Sequence, residues 1–556
     1  MSDPVRPQAP GVTRRDLLRR SASAAALASL ATVAPSLSGV AHAQSPKRGG
    51  TLTLRLWDPP HWDPYLTVAY KTQIPYSFTH SRLIRHKAGS AISPGTFPFE
   101  GDLAESWSQP DDTTYVFKLR RGVRFHPKPP VNGRELTAED VVYSMERFRT
   151  VTGNPQAATL AALDRVEALD RYTVKFTVKE PFAWFLDMLA NPVTLAIVAK
   201  ECVEKFGDLK KAEAVVGTGP WMLDGYRPNA GYTLVRNPSY FLPGLPYIER
   251  IEAVVDEDNG SRLAAFLGGK YDLGWEFPGM INRTDWVQIK EPLKHRRPGL
   301  QTAEYPTNVA QKIVMRTDRT PFSDARMRRA MSHALNRQGL IEAVLEGAGV
   351  ANGAVPAALK EWGLPVDQLG EGSRYYKFDP VEARRLLAEA GYPRGFPTVM
   401  DFHGYGSTAL VDAMQLVLKD LKDVGIEVKL NQKEYGAYVA TTGVGNYEGI
   451  AFGPATPFLD PDSYLFTSYT PGHPRNLGRI NNPALTEMLT RQRRLRDPAR
   501  RRAVIHDIQR HIAAQQYLVE VYSGTLIFVW DAALKGYGPN LGYDYGGRLL
   551  SAWLDR

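Results

Sequence analysis

Strict alternation of apolar and polar residues predicts three strands in the first third of the chain. Residues 51–57 (TLTLRLW), 114–120 (TYVFKLR) and 172–178 (YTVKFTV) place apolar or aromatic side chains at every second position. A period of two residues is typical of a strand with one face against a core. Residues 398–406 predict a strand followed by a loop, and residues 426–430 a further strand. We therefore expect β-sheet in both halves of the protein.

A period of three to four residues predicts the helices. Residues 137–148 begin with Thr137 and Asp140, which form a capping box, and continue with apolar residues on one face. Residues 379–391 begin with Asp379 followed by proline and end at a glycine, the pattern of a capped helix.

The second half also contains a strand, a helix and a strand in succession. Residues 407–425 predict a helix that ends at Gly425, and it lies between the strands at 398–406 and 426–430. Such a βαβ unit requires parallel strands. The fold class is therefore α/β.

Composition is that of an ordinary folded protein, with 43% hydrophobic and 23% charged residues among 556. The net charge is +9, and residues 1–43 hold five arginines and two aspartates, so the remainder carries +6. So small a surplus does not indicate a nucleic acid partner. The densest basic run, at 491–502, is interpreted as the solvated face of a helical pair, with an anion-binding patch as the alternative.

The first 43 residues have the pattern of a Tat-type signal peptide. Twin arginines, Arg14 and Arg15, precede the weakly apolar stretch at 21–43, which ends in Ala-His-Ala. We expect cleavage near Ala43, export by the twin-arginine route and a periplasmic mature protein that begins near Gln44. A membrane anchor is the alternative, but the stretch falls short of a span of ~20 apolar residues.

Catalytic motifs are missing from the sequence. No nucleophile elbow, P-loop, zinc-protease motif or dinucleotide fingerprint is present. Cys202 is the single cysteine, so an internal disulfide is excluded. Residues 217–222 begin like a glycine-rich loop but are better explained as a turn under Trp221. We expect neither an enzyme nor a cofactor or metal.

Aromatic residues are frequent in the predicted loops. Each is compatible with a place in the core, but together they suit a cleft that stacks on a solute. His403, which follows a predicted strand, is either a ligand contact or a structural histidine. The candidate ligand-binding residues from this pattern are Trp57, Tyr65, Trp275, Phe402, His403, Tyr405, Phe452 and Phe458.

Residues 452–464 (FGPATPFLDPDSY) contain a pair of aspartates, Asp460 and Asp462. Such a pair can be an acid and a base, half a metal site, an ion-pair anchor or a turn. Pro461 stiffens the backbone between them, which disfavours convergence on one substrate bond. We interpret the stretch as a turn that also caps a helix beginning near Ser463.

Stretches that form a common pattern occur in order over nearly the whole of the chain after residue 43. They are GGTLTL (49–54), LAESW (103–107), YVFKLRRGVRFH (115–126), NGRELTAEDVVYSMERF (132–148), VGTGPW (216–221), RNPSYF (236–241), PYIERIEAVVD (246–256), PFSDARMRRAMSHALNR (321–337), DPVEARRLLAEAGYP (379–393) and NLGRINNPALTEML (476–489). In these stretches the chain resembles the extracytoplasmic solute-binding proteins of ABC importers, specifically family 5 with its dipeptide-, oligopeptide- and nickel-binding members. The resemblance adds Glu276 and Asp460 to the candidate ligand-binding residues.

The resemblance implies a type II periplasmic-binding-protein fold of the large group, with two α/β lobes, a hinge and an extra subdomain. Lobe I is expected at 47–280 plus 519–556, with the subdomain at about 80–215, and lobe II at 281–518. The resemblance also implies a small-molecule solute between the lobes and an ABC transporter permease as partner, with no nucleic acid partner and a monomeric receptor.

The solute class stays open between a peptide, an opine, an oligosaccharide and similar solutes. Peptide-binding relatives place an acid slightly ahead of the stretch that matches Asp460, whereas residues 454–457 (PATP) contain none. An ammonium enclosed without a partner is costly, which disfavours a free peptide terminus, although Glu276 is a substitute. A periplasmic hydrolase that uses Asp460 and Asp462, and a chaperone or signalling receptor on the same fold, are the alternatives.

Overall fold

The fold is taken from a computed structural model, which describes residues 45–67, 69–192, 195–274, 283–405 and 407–556. The predicted signal peptide at 1–43 lies outside these residues, as do Trp275 and Glu276. Residues 46–556 form one compact unit. No helix among the described residues is long and apolar enough to cross a membrane.

Most strands belong to one mixed sheet of twelve. Its main path is β16-β15-β17-β13-β18-β11-β1-β10-β9-β8, and β12 and β14 pair with β18. A second sheet has the antiparallel order β4-β5-β7-β6, and β2-β3 and β19-β20 are short pairs. The strands are β1 Thr51–Leu56, β2 Ile84–His86, β3 Phe99–Gly101, β4 Ala104–Ser108, β5 Thr114–Leu119, β6 Leu163–Asp170, β7 Thr173–Val178, β8 Trp221–Arg227, β9 Gly231–Arg236, β10 Arg250–Val255, β11 Leu273–Gly274, β12 Gln301–Pro306, β13 Gln311–Met315, β14 Gly349–Val350, β15 Phe396–Phe402, β16 Ile426–Gln432, β17 Ile450–Pro454, β18 Leu518–Trp530, β19 Leu534–Lys535 and β20 Trp553–Leu554.

Fifteen α-helices accompany these strands in the described part of the chain. They are α1 Tyr70–Thr79, α2 Ala138–Thr150, α3 Phe185–Ala190, α4 Lys200–Phe206, α5 Asn259–Leu267, α6 Arg283–Arg296, α7 Ala325–His333, α8 Arg337–Leu345, α9 Pro380–Glu389, α10 Thr408–Asp423, α11 Tyr435–Ala440, α12 Pro461–Tyr469, α13 Pro483–Arg494, α14 Pro498–Gln515 and α15 Tyr545–Leu549.

The long strand β18 lies in the middle of the large sheet and joins its two halves. It pairs with β13 through residues 518–522 and with β11 and β12 through residues 525–530. The parallel strands β1 and β10 lie on one side of it, and the parallel strands β15, β16 and β17 on the other. One continuous strand therefore connects both α/β regions of the chain.

The local predictions are confirmed where short-range chemistry decides the structure. The capping box of α2 is present, with Thr137 and Asp140 bonding each other's backbone N–H groups. Asp379 accepts from the N–H of Glu382 at the start of α9. The predicted βαβ unit is β15-α10-β16, in which the two strands are parallel from Phe396 opposite Ile426 onward.

The solvated-face interpretation of the basic run is wrong for two of its arginines. Helices α13 and α14 form the predicted pair, but the Arg493 guanidinium lies 3.8 Å from the ring centre of Phe466. Arg501 is buried, and its guanidinium lies 4.3 Å from the ring centre of Trp184. Aromatic faces attract these cations, so both point inward.

The largest buried cluster extends beyond the predicted lobe I. It contains residues of β1, β5 and β7 together with Leu485 and Leu489 of α13 and Ile505 of α14. A second cluster packs β13, β15 and β17 against α7, α8 and α10. The predicted lobe boundaries stay predictions.

Candidate functional site

A recess lies where the parallel strands β15 and β16 end. Its volume is about 690 Å³, in the size range of small-molecule sites. In open α/β sheets, solutes bind at the carboxyl ends of the strands, which is the edge concerned here. We call this site the aromatic recess; it is lined by His403, Gly404, Tyr405, Ser407, Thr408, Val411, Asp412, Gln432, Lys433 and Glu434.

Aromatic rings dominate one side of the aromatic recess. The ring of Tyr405 lies 4.7 Å from that of His403 and 5.8 Å from that of Tyr435, edge to face in both pairs. Tyr438 adds a fourth ring, 6.1 Å from Tyr405. Tyr405 is 42% exposed and Tyr435 53%, so their ring surfaces face solvent. A cluster of exposed aromatic rings is a surface on which a solute can stack.

The backbone holds Tyr405 in an unusual conformation. Its φ is +51°, in the left-handed region that residues other than glycine seldom adopt. The neighbouring His403 is fixed as well, because its Nδ1–H donates to the carbonyl of Lys433 at 3.0 Å. Backbone strain of this kind is concentrated at functional sites, where the fold holds a side chain in place.

Two charged groups of the recess, Lys433 and Glu434, are held by other residues of the protein. The Lys433 ammonium lies 2.6 Å from the buried Asp401 carboxylate, which also accepts from Asn431 and Thr442. These hydrogen bonds lower the pKa of Asp401 against the opposing effect of burial. Glu434 caps α11 by accepting from the N–H of Ala437. The recess therefore offers a solute aromatic rings and hydroxyls, together with the carboxylate of Asp412, which also lines it.

The loop from β17 to α12, residues 455–459, lies at the same edge of the sheet. β17 is parallel to β15, so their carboxyl ends coincide. A Cβ placed at Gly453, near the end of β17, would lie 3.5 Å from the hydroxyl of Tyr438, so the end of this strand lies beside the rings of the recess. Tyr464 supports the loop, since its hydroxyl accepts from the N–H of Phe458 and donates to Asn308.

Residues from distant parts of the chain face this loop. The rings of Tyr70 and Tyr543 stack with centroids 4.5 Å apart, and the Tyr70 hydroxyl lies 3.4 Å from the Pro457 carbonyl. Arg475 donates to the hydroxyl of Thr456 at 2.8 Å and lies over the ring of Phe458. Burial raises the pKa of Tyr70 to about 12, and the nearby Arg475 opposes that shift.

The paired aspartates have structural partners. Asp460 is the N-cap of α12, and its carboxylate accepts from the N–H of Ser463 at 2.7 Å. This confirms the turn-and-cap interpretation, with the helix beginning at Pro461. Asp462 accepts from the side chain of Gln492 and pairs with Arg493 at 3.2 Å. Burial raises the pKa of Asp462 to about 6.

Four other candidate residues lie in the core. Trp57 and Tyr65 are buried, and the Tyr65 hydroxyl donates to the carbonyl of Ala196. Phe402 and Phe452 are buried on neighbouring strands with parallel rings 6.3 Å apart. Their burial favours a packing role, and solute contact by these four stays a prediction, as it does for Trp275 and Glu276.

The structure thus brings His403 and Tyr405 together in the recess. It places Phe458 in the β17–α12 loop and Asp460 directly after that loop, as the N-cap of α12. Five residues at this edge of the sheet are not among the ligand-binding candidates predicted from the sequence: Tyr70, Tyr435, Tyr438, Arg475 and Tyr543. The three-residue spacing of Tyr435 and Tyr438 was a usable signal, because it places both on one helical face. The others lie too far apart in sequence to be connected by pattern.

A metal centre is not formed by the part of the chain that the structure describes. No group of three or more His, Cys, Asp or Glu side chains there is arranged to hold an ion.

Comparison with known proteins identifies relatives. The family model for bacterial extracellular solute-binding proteins, family 5, matches residues 98–476. The glutathione-binding protein GsiB of Escherichia coli (strain K12) is 25% identical over 463 residues, which is 80% of this chain and 84% of GsiB.

Solved structures show the same fold. The periplasmic binding protein DppA from Helicobacter pylori, in complex with the peptide STSA, is 24% identical with a TM-score of 0.76, over 92% of this chain and 99% of DppA. AgaA from A. tumefaciens R10, in complex with agropinic acid, is 22% identical with a TM-score of 0.74, over 91% of this chain and 99% of AgaA. The two-lobed α/β fold expected from the sequence is confirmed.

Proposed function

The chain belongs to the bacterial extracellular solute-binding proteins, family 5, and we propose from this membership that it is a periplasmic receptor of an ABC importer. In this role it captures a small solute between its two lobes and delivers it to permease subunits at the inner membrane. Binding of the solute to both lobes favours the closed form over the open one. The receptor acts as a monomer and performs no covalent chemistry.

Family membership carries this proposal, and the aromatic recess supports it. Tyr405 and Tyr435 expose their rings at the carboxyl ends of parallel strands, where solutes bind in open α/β sheets. Aromatic side chains lose little conformational entropy on binding, because each has only two rotatable side-chain bonds. They are therefore suited to a receptor that holds a solute without reacting with it.

The proposed solute is an amphipathic molecule such as an opine, an oligosaccharide or a peptide. The related proteins bind glutathione, a tetrapeptide and agropinic acid. In this chain, residues 454–457 contain no acid, and Lys433 is already paired with Asp401. A free peptide amino terminus would therefore lack an acidic partner at residues 454–457, which disfavours binding of that terminus by this loop. Asp412, which lines the recess, is the acid that a peptide would have to use instead.

Delivery to the periplasm is proposed to follow the twin-arginine route. Arg14 and Arg15 precede the weakly apolar stretch at 21–43, and cleavage near Ala43 would release the receptor.

A binding screen tests the proposal. The mature protein, residues 44–556, is heated with peptides, opines and oligosaccharides, and we expect at least one class to raise its melting temperature. For the solute found, Tyr435→Ala should weaken binding about tenfold, since loss of one stacked ring removes ~1 kcal/mol or more. Phe378→Ala is the matched control, because Phe378 is an exposed aromatic residue outside the recess. A protein that binds no compound and carries none when purified from its host would contradict the receptor role.

A further inference from the structure

Arg475 differs from the other charged groups at this edge of the sheet. Its side chain is exposed, yet the surrounding protein removes enough water to lower its pKa. Its single hydrogen bond to the described residues uses one N–H, which donates to the Thr456 hydroxyl. No carboxylate of the described residues lies within ion-pair distance of Arg475, whereas Lys433 and Arg493 each have one.

The neighbours of Arg475 hold the guanidinium in place without neutralising it. Its Cζ lies 5.4 Å from the ring centre of Phe458. Tyr70, whose hydroxyl lies 3.4 Å from the Pro457 carbonyl, is close enough to interact with the charge of Arg475. A guanidinium presents five N–H donors in a fixed fork that matches a carboxylate or a phosphate. One of these donors is used by the Thr456 hydroxyl, and the others have no acceptor among the described residues, so they can serve an anionic group.

We propose that Arg475 binds an anionic group of the solute, a carboxylate above all, while Tyr70 and Phe458 contact its apolar part. This inference rests on the proposed receptor function and deepens it, because it names the charge of the solute. A carboxylate in this position receives charge-assisted hydrogen bonds from Arg475 and neutralises it, whereas a neutral solute leaves the cation partly dehydrated and unpaired.

Matched acid and neutral probes test the inference. The probes are N-acetyltyrosine with N-acetyltyrosinamide, and galacturonic acid with galactose. Calorimetric titration of the mature wild-type protein should show an acid bound about 10- to 100-fold more tightly than its neutral counterpart. Arg475→Met should abolish that preference, and Arg475→Lys should retain part of it.

Two controls separate a binding role from a structural one. Arg165→Met also removes one positive charge, but from a surface pair with Glu167. This variant should therefore prefer an acid probe over its neutral counterpart by the same factor as the wild type. The melting temperature of Arg475→Met without solute should match that of Arg165→Met. If Arg475→Met does not fold, the acid preference of the wild type and of Arg475→Lys still decides the question.

The outcomes also separate this inference from the receptor function. Equal binding of acid and neutral partners, or an acid preference that survives Arg475→Met, overturns the role of Arg475 and leaves solute binding intact. No response to any of the probes, or to the peptides, opines and oligosaccharides of the screen, ends both proposals.

Discussion

The buried ion pair between Asp63 and Arg147 offers a quantitative test of what stabilises the protein. Asp63 is fully buried, and its carboxylate lies 2.5 Å from the Arg147 guanidinium. It also accepts from the backbone N–H groups of Tyr65 at 3.0 Å and Leu209 at 3.1 Å. The pair therefore connects α2 to two loops, and Arg147 in addition lies over the ring of Tyr65.

Arg147→Met removes the cation and leaves a buried carboxylate with two backbone donors. We expect the free energy of unfolding to fall by about 3–5 kcal/mol, the usual cost of breaking a buried pair. Arg165→Met is the control, because Arg165 and Glu167 form an exposed pair at 3.0 Å with side chains 57% and 42% accessible. Such a pair contributes about 0–1 kcal/mol.

Urea unfolding of the mature protein, followed by far-ultraviolet circular dichroism, measures both changes. Adding Asp63→Asn to Arg147→Met should recover part of the loss, since the unpaired charge is then gone. A stabilising role of the buried pair is refuted if Arg147→Met lowers the free energy of unfolding no more than Arg165→Met does. It is also refuted if the loss in the double variant equals the sum of the losses in Arg147→Met and Asp63→Asn.

Three further predictions follow from the sequence and the structure. Arg14→Lys with Arg15→Lys should leave the precursor in the cytoplasm, which an immunoblot of cell fractions checks; undiminished export would contradict the twin-arginine route. Asp460→Ala should cost about 1 kcal/mol of stability through loss of the α12 cap, whereas Asp460→Ser should retain most of it, as urea unfolding will show. Burial, together with the Asp460 and Asp462 charges and against that of Arg501, raises the pKa of Asp187 to about 8. A raised carboxyl pKa destabilises the folded state increasingly as pH rises from about 4 to about 8. The free energy of unfolding of Asp187→Asn should therefore exceed that of the wild type by about 1 kcal/mol or more at pH 9 and by little at pH 4. Equal differences at the two pH values would refute this prediction.

The local elements were predictable because their causes lie within a few residues of each other. The caps at Thr137, Asp379 and Asp460 are each made by a side chain and a backbone group two or three residues away. The β15-α10-β16 unit likewise follows from adjacent hydrophobic patterns. Such signals are visible in a single sequence.

The candidate site was predictable only in part, because its contacts are long-range. Tyr70 and Tyr543 stack although 473 positions separate them by number, and Trp184 donates to Gln492 across 308 positions. No periodicity connects such residues. The same reason explains the error for Arg501, whose aromatic partner Trp184 belongs to a distant helix–loop region.

The two carboxylates of the FGPATPFLDPDSY stretch make structural contacts within the protein. These contacts limit the chemistry that is available at this edge of the sheet. Asp460 caps α12, and Asp462 is held by Gln492 and Arg493. An acid–base pair needs two carboxyl groups directed at one bond, with one of them free to take a proton from the substrate. Neither aspartate meets that condition, since each accepts hydrogen bonds from its own neighbourhood. The groups left for a solute are the neutral ones beside them, the ring of Phe458 and the hydroxyl of Thr456, together with the guanidinium of Arg475. That set offers a solute aromatic contact and hydrogen-bond donors, which agrees with the proposed capture and release.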